Sequence, residues 1–238
     1  MCLILFAIAP LDHFRFVVAA NRDEYYKRPT RAAKFWPENP KILAGKDLSM
    51  GGTWMGITKS GRFAAITNFR ETPITPIPPM SRGEITTQFL ESSEPIEDYL
   101  DSLSTRAYLY RGFNLIVGDG KDFFYYSNQL EGRTRLGTGF YGLSNQLLDC
   151  DWPKVNEGRE KLRSKIESKD LYLTLFDLLS DEGDSRAFSN SFIAAADYGT
   201  RSQTVITWGT DDKIKFVERT FSKSGQPGSS EAFTFSLC

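Results

Sequence analysis

The sequence predicts an α+β fold in which two antiparallel sheets pack together, with layers of helices outside them. The predicted elements occur as a block of strands, two helices, a second block of strands, two more helices and a last block of strands. Strand blocks and helix pairs are thus segregated, whereas a doubly wound parallel fold alternates single strands with single helices. No internal repeat, linker or low-complexity tract divides the 238 residues, so we predict a single domain covering residues 1–238.

The chain begins with two nearly continuous apolar runs, at residues 2–9 and 14–20, separated by a short polar turn. Such runs are typical of strands in a sheet covered on both faces, and the short turn predicts a hairpin. Four polar residues (Asn-Arg-Asp-Glu, 21–24) follow the second run directly. Because the end of a hairpin's second strand lies beside the start of its first, we expect Arg22 and Asp23 to lie near the start of the chain.

The next part of the chain predicts further strands and then a pair of helices. Residues 28–41 carry three prolines and look irregular. The predicted elements are strands at 53–58 and 62–67, a proline-rich loop at 73–79, and helices at 81–92 and 95–103. Ser81 and Glu84 have the spacing of a capping box, which favours a helix start at this point.

The second half of the chain repeats the pattern of strands followed by two helices. The predicted elements are strands at 113–117, 123–126 and 140–143, helices at 153–166 and 171–179, and closing strands at 203–208, 214–220 and 233–237. Pro153 suits the first turn of its helix, and Asp151 is the predicted N-cap.

Composition excludes several classes of function. The formal net charge is -1, so no global positive field would collect nucleic acid or an anionic membrane. The start of the chain lacks the basic flank and cleavage site of a signal peptide, and no window approaches the ~18 apolar residues of a membrane span. The three cysteines are widely spaced, which argues against a disulfide framework or a structural zinc site and favours a reducing, cytoplasmic location.

Cys2 is the first candidate for chemistry. If Met1 is removed, Cys2 carries a thiol and a free α-amine, which titrate near ~8.5 and ~8, so the amine can act as the thiol's base. The chain has one histidine, His13, in a predicted turn, so the base of any nucleophile is not expected to be imidazole. The alternative is that Cys2 is a small apolar residue at the start of a strand.

Several short motifs together resemble the NRDE-motif family, also called the transport and Golgi organization protein 2 family. Besides Cys2 and residues 21–24, the motifs are Gly51-Gly52-Thr53-Trp54, Thr67-Asn68-Phe69-Arg70, Ser81-Arg82-Gly83, Gly142-Leu143-Ser144-Asn145 and Tyr198-Gly199-Thr200-Arg201-Ser202. That family is in turn similar to the N-terminal nucleophile (Ntn) hydrolases of αββα architecture. Among these are the cysteine acylases that cut linear amides, such as penicillin V acylases and bile salt hydrolases.

The resemblance implies a set of site residues and a reaction. The residues are Cys2, Arg22, Asp23, Asn68, Asn145 and Arg201. The Cys2 thiol would attack the carbonyl of a small-molecule amide and break a non-peptide C–N bond, with its own α-amine taking the proton. Arg22 would stabilise the thiolate, and the Asp23 carboxylate would hold the α-ammonium.

The remaining three residues would act on the charge of the reacting group. The Asn145 amide and a main-chain N–H at or near Asn68 would donate to the oxyanion, and Arg201 would add positive potential near the thiolate or a substrate anion. Structural alternatives stay open at each position. Arg22 and Asp23 could form an ion pair at a strand end, the two asparagines could be turn residues, and Arg201 could pair with Asp197.

A non-catalytic carrier is the second function that the resemblance leaves open. No cofactor is required for the hydrolase, but the same fold could carry haem or an acyl-CoA-like ligand. Arg22, Arg70 or Arg201 would meet the anionic group and aromatic walls would hold the apolar part. A third and weaker alternative is a trafficking adaptor that uses only its surface.

Overall fold

The computed structural model describes residues 2–71 and 80–238, and these form thirteen strands and four α-helices. The strands, in chain order, are β1 (Leu3–Leu11), β2 (Phe14–Tyr25), β3 (Thr30–Phe35), β4 (Ile42–Asp47), β5 (Met55–Thr58), β6 (Phe63–Asn68), β7 (Phe113–Gly118), β8 (Phe123–Ser127), β9 (Arg133–Leu136), β10 (Gly139–Leu143), β11 (Tyr198–Gly209), β12 (Lys213–Phe221) and β13 (Pro227–Ser236). The helices are α1 (Arg82–Glu91), α2 (Ile96–Ser104), α3 (Pro153–Lys165) and α4 (Leu171–Leu179). The predicted loop at 73–79 lies outside the described residues.

The strands form two antiparallel sheets, which confirms the predicted α+β class. One sheet has six strands in the order β10-β1-β2-β11-β12-β13, and the other has seven in the order β3-β4-β5-β6-β7-β8-β9. The chain divides into two compact units, each built on one sheet. The first unit contains the chain through Arg28 together with Thr138–Ser144 and Leu148–Ser236, and the second contains Pro29–Gly137, Asn145–Leu147 and the last two residues. The prediction of a single domain over residues 1–238 stays a prediction.

In the first unit, α3 and α4 cover one face of the six-stranded sheet. Odd-numbered residues of β1 and β2 form an apolar cluster with these helices, including Leu5, Val17, Leu162 and Leu175. Side chains alternate between the faces of a strand, so the odd-numbered positions at this end of β1 and β2 face the helices and the even-numbered positions face away. This alternation decides where each polar residue of 21–24 lies.

In the second unit, α1 and α2 pack on the seven-stranded sheet. Their apolar residues, including Ile85, Phe89 and Leu100, join one buried cluster with residues of the sheet such as Leu115 and Phe124. Within the part of the chain that the structure describes, no helix is long and apolar enough to cross a membrane.

Several element boundaries differ from the sequence-based predictions. β2 does not end before residue 21 but continues through Tyr25, because β11 pairs with it along its whole length. Strands β3, β4 and β9 were not predicted, and β3 lies in the region expected to be irregular. β3 and β9 are polar edge strands, which lack the apolar run that marks a buried strand. β4 is an inner strand, and its buried apolar run, Ile42-Leu43-Ala44, is short.

Both predicted helices form, and α1 begins after Ser81 as predicted, but neither predicted capping bond is present among the described residues. Ser81 is the N-cap residue of α1 but its side chain makes no capping bond, and the Glu84 carboxylate accepts instead from Gln88. The N-cap residue of α3 is Trp152 rather than Asp151, whose carboxylate accepts a hydrogen bond from Asn156. The helices are therefore fixed by packing rather than by their caps.

Candidate active site

Cys2 lies immediately before β1, at the end of the hairpin opposite to its turn. Its main-chain carbonyl accepts a 2.6 Å hydrogen bond from the Ser144 hydroxyl, which fixes the residue at the edge of β10. Leu3 pairs with Asn21 across the hairpin, so Cys2 lies beside Arg22 on the face directed away from α3 and α4. The Cys2 sulfur is 4.0 Å from the carbonyl oxygen of Asp23. The predicted approach of Arg22 and Asp23 to Cys2 is thus present in the first unit.

Asn21 holds β2 against the helical layer. Its amide nitrogen donates to the carbonyl oxygens of Leu179 at the end of α4 (2.8 Å) and of Ser191 in the following loop (2.7 Å). The residue is almost completely buried. Asn21 is therefore a structural residue that fixes the end of β2 from which the next two residues project.

Asp23 is buried on the same helix-facing side of β2. One carboxylate oxygen accepts a 2.7 Å hydrogen bond from the Thr200 hydroxyl of β11, and the Tyr198 hydroxyl donates to the Asp23 carbonyl. Burial raises the pKa of the Asp23 carboxyl, while the charges of Lys154 and Arg22 and the Thr200 bond act in the opposite direction. The assignment of the Asp23 carboxylate to the α-ammonium stays a prediction.

Arg22 points to the opposite face, although it is adjacent in sequence. Its guanidinium is buried, and one nitrogen lies 3.8 Å from a carboxylate oxygen of Glu24, two residues further along the same face. The same Glu24 oxygen is 3.8 Å from the Arg28 guanidinium. The alternation of the strand thus separates the two adjacent charged residues, with Arg22 on the Cys2 side and Asp23 on the helix side.

The electrostatic environment of Cys2 opposes ionisation of its thiol. Burial raises the pKa of the Cys2 thiol, and the Asp23 carboxylate raises it further, while the Arg22 guanidinium lowers it. A thiol with a raised pKa is protonated at neutral pH and needs a base to become a nucleophile. The site therefore requires the α-amine or another proton acceptor if Cys2 reacts.

Arg201 lies at an irregularity in the pairing of β11 with β2, between Thr200 and Ser202. One guanidinium nitrogen donates to the carbonyl oxygens of Tyr25 (3.2 Å), Tyr26 (3.2 Å) and Arg28 (3.1 Å). These bonds tie the end of β2 to β11. Among the described residues, the Arg201 guanidinium forms no ion pair with Asp197, which was the structural alternative. The assignment of Arg201 to the reacting group stays a prediction.

The structure brings Asn68 and Asn145 together in the second unit. The Asn145 side-chain nitrogen donates a 2.7 Å hydrogen bond to the Asn68 carbonyl, and the Asn145 carbonyl accepts from the Arg70 N–H at 2.8 Å. One N–H of the Asn145 amide is thus already committed to Asn68. Their assignment as oxyanion donors stays a prediction.

Sequence reasoning missed Lys154, a buried lysine in the first turn of α3. The residue is only 2% exposed, and its ammonium donates no hydrogen bond to any described residue. From the sequence alone, a single lysine at the start of a helix is expected to be solvent-exposed. The helical period, however, places it in line with the buried Gly158 and Leu162, at spacings of four and eight residues, and that signal was available.

His13 and an open cleft that it lines lie away from Cys2. His13 follows β1 at the hairpin turn, so the whole length of β1 separates it from Cys2. A cleft of about 750 Å³ is lined there by residues 10–14 and by the segment between α3 and α4. None of the predicted site residues lines it. Among the described residues, no cluster of three or more His, Cys, Asp or Glu side chains could hold a metal ion.

The fold matches solved structures of the Ntn hydrolase class. The N-acylethanolamine-hydrolyzing acid amidase ortholog of Caenorhabditis elegans superposes with a TM-score of 0.53 at 10% identity, covering 87% of this chain and 92% of that one. A mutant of the conjugated bile acid hydrolase from Clostridium perfringens superposes with a TM-score of 0.55 at 8% identity, covering 100% of this chain and 92% of that one. This likeness establishes the fold as that of the Ntn hydrolases, as the sequence resemblance implied.

The sequence comparisons then give the family. The family described as Transport and Golgi organisation 2 matches residues 1–223. The Transport and Golgi organization protein 2 homologs of Bos taurus and Homo sapiens are 36% and 34% identical, each over 92% of this chain and 92% of the relative. The Transport and Golgi organization protein 2 of Drosophila melanogaster is 24% identical over the same shares. The chain therefore belongs to the Transport and Golgi organization 2 family.

Proposed function

We propose that this chain is an N-terminal-cysteine amidohydrolase that cleaves the non-peptide C–N bond of a linear amide. The observation that carries the proposal is the position of Cys2, fixed at the start of β1 beside Arg22 and next to Asp23. The named activities of the two structural neighbours, on N-acylethanolamines and on conjugated bile acids, support the same class of substrate. We place the protein in the cytoplasm, because a reducing compartment keeps a reactive thiol available.

The proposed reaction begins after removal of Met1. The Cys2 α-amine accepts the thiol proton while sulfur attacks the carbonyl carbon, and Arg22 stabilises the negative charge on sulfur before attack. Collapse of the tetrahedral intermediate breaks the C–N bond, and the leaving amine takes the proton from the α-ammonium. Water then hydrolyses the thioester, with the α-amine as base, which releases the acid and regenerates the thiol.

Loss of turnover in Cys2→Ala tests this proposal. Purified protein is incubated with a long-chain N-acylethanolamine and, separately, with a glycine-conjugated bile acid, and the released amine is measured. We expect Cys2→Ala to lower kcat/KM by about 10³-fold or more, because the nucleophile is lost. The matched control is Cys238→Ala, which removes an exposed cysteine and should leave turnover unchanged. Full turnover by Cys2→Ala would contradict the proposal.

A carrier of haem or of an acyl-CoA-like anion is the second candidate. The raised pKa of the Cys2 thiol favours it, because a protonated thiol is a poor nucleophile but does not disturb an apolar ligand. For haem, Cys2 and His13 cannot both be ligands, since they lie at opposite ends of β1. Binding measured by absorbance titration with haemin should survive Cys2→Ser and weaken about tenfold in Arg22→Ala, which removes the buried cation. Binding lost in Cys2→Ser but kept in Arg22→Ala would exclude this anion site.

A further inference from the structure

Ser202 of β11 carries a buried hydroxyl group that the rest of the described chain does not satisfy. The residue is only 4% exposed, and its side-chain oxygen has no hydrogen-bond partner among the described residues. Burying a hydroxyl without a partner costs about 1–3 kcal/mol, because its hydrogen bonds to water are lost. Unsatisfied buried groups of this kind occur at sites where a bound molecule supplies the missing partner.

Strand pairing places Ser202 in one row with Arg22 and Cys2. Ser202 is directly opposite Arg22 in the pairing of β11 with β2. On the other side of β2, Leu3 pairs with Asn21, so Cys2 lies opposite Arg22 there. Opposite residues project from the same face of a sheet, and neighbouring strands are about 4.8 Å apart. The Cα atoms of Cys2 and Ser202 are therefore separated by about 10 Å, with Arg22 between them.

The row lies at the polar end of a sheet face that is apolar further along. On the other side of Ser202, β12 places Thr220 directly opposite. One step toward the hairpin turn, the Thr204 hydroxyl donates to the buried Glu218 carboxylate at 3.3 Å. The following positions on this face are buried and apolar, and they include Phe6, Phe16, Val18, Ile206 and Phe216. Buried polar side chains on this face are therefore concentrated next to Cys2.

The charged residue nearest to Ser202 along this face is the cation Arg22. Directly opposite residues have Cβ atoms about 5 Å apart, whereas Glu218 occupies a diagonal position, at about 7–8 Å. The Glu24 carboxylate does not cancel the positive charge, because one of its oxygens lies 3.8 Å from both Arg22 and Arg28 and is shared between them. Since Coulomb attraction falls with distance, the position between Ser202 and Arg22 favours an anionic oxygen.

We infer that Ser202 binds the amine part of the substrate, its hydroxyl donating to a carboxylate that the Arg22 charge attracts. The inference rests on the proposed function in taking Cys2 as the nucleophile, and it names the substrate class as N-acyl amino acids. In an N-acylglycine the carboxylate oxygens lie about 4–5 Å from the scissile carbonyl carbon. Sulfur at about 3 Å from that carbon and a hydrogen bond of about 2.8 Å to the carboxylate then span the row from Cys2 to Ser202.

Turnover of two amides that differ only in the amine part tests this inference. N-decanoylglycine and N-decanoylethanolamine share an acyl chain and are nearly equal in size, but only the first has a carboxylate. We expect Ser202→Ala to raise KM for the glycine conjugate about 10-fold with kcat within about threefold of the parent, because a hydrogen bond to a charged group is lost. Its effect on KM for the ethanolamide should stay within about threefold. Ser230→Ala, an exposed serine of β13, is the matched control and should change neither value.

Thermal unfolding without substrate separates a binding role from a structural one. Ser202→Ala removes a hydroxyl that bonds no described residue, so its unfolding midpoint should be no lower than that of Ser230→Ala. A clearly lower midpoint in Ser202→Ala would assign the hydroxyl to the fold and overturn the inference. So would an equal rise in KM for both amides.

Binding by the inactive Cys2→Ala variant keeps this inference distinct from the amidohydrolase proposal. Isothermal titration calorimetry should give a Kd about 10-fold lower for N-decanoylglycine than for N-decanoylethanolamine, and adding Ser202→Ala should abolish the difference. That result, together with a parent chain that hydrolyses neither amide, would refute the enzyme and retain the carboxylate site. Hydrolysis of both amides by the parent, with KM values that Ser202→Ala leaves unchanged, would retain the enzyme and overturn the carboxylate site.

Discussion

At the scale of single residues, the side chains of the polar motif at 21–24 alternate between the two faces of β2. Asn21 and Asp23 face the helices, whereas Arg22 and Glu24 face away. A strand therefore places a cation and a carboxylate that are adjacent in sequence on opposite sides of the sheet, with Cys2 beside the cation. This geometry gives Arg22 and Asp23 distinct environments that their adjacency in the sequence did not suggest.

Asn21 is expected to contribute to stability rather than to chemistry. In Asn21→Ala, the buried carbonyls of Leu179 and Ser191 lose their donor, so the free energy of unfolding should fall by about 2–4 kcal/mol. Urea denaturation followed by circular dichroism measures this change. Gln226→Ala, an exposed amide in the same unit, is the control and should change it by less than about 0.5 kcal/mol. Equal effects of the two substitutions would show that the Asn21 bonds do not stabilise the fold.

At the scale of elements, two motifs of the family are explained by a close contact between main chains. A Cβ added to Gly52, before β5, would lie 2.4 Å from the carbonyl carbon of Gly83 in the first turn of α1. The Thr53 N–H also donates to the Gly83 carbonyl at 3.3 Å. Glycine at position 52 therefore lets α1 dock on the start of β5, and these motif residues need no role in binding.

Gly52→Ala should accordingly destabilise the second unit. The added methyl group meets main-chain atoms that cannot rotate away, so we expect a loss of about 2–4 kcal/mol in the free energy of unfolding. Gly137→Ala is the matched control, because its Cβ would meet nothing within 4 Å. Denaturant unfolding of both variants measures the difference, and a Gly52→Ala protein as stable as Gly137→Ala would be inconsistent with the close contact.

Elements with strong apolar patterns were predictable from the sequence, whereas those fixed by distant pairing were not. The bounds of α4 match the prediction at both ends, and the hairpin of β1 and β2 was predicted from its apolar runs. The polar end of β2 is a strand only because β11, more than 170 residues further along the chain, pairs with it. The burial of Lys154 was not predicted for a similar reason, because it depends on the packing of α3 against β10 and β1.

At the scale of the whole molecule, the family of the chain and its fold give different information. Its membership of the Transport and Golgi organization 2 family names a lineage, while the Ntn hydrolase fold names an architecture on which amide hydrolysis occurs in other proteins. A fold does not by itself imply a reaction. The proposal of hydrolysis therefore depends on the local arrangement of Cys2, Arg22 and Asp23, and on the chemical state of the Cys2 amine.

The most direct test of that proposal is the intact mass of the protein after a rapid acid quench during its reaction with a long-chain N-acylethanolamine. We predict a chain that begins at Cys2, with a fraction heavier by one acyl group that peptide mapping places on the Cys2 sulfur. Chains that retain Met1 and carry no acyl group on Cys2 at any time point, while the amide is consumed or left intact, would contradict the account.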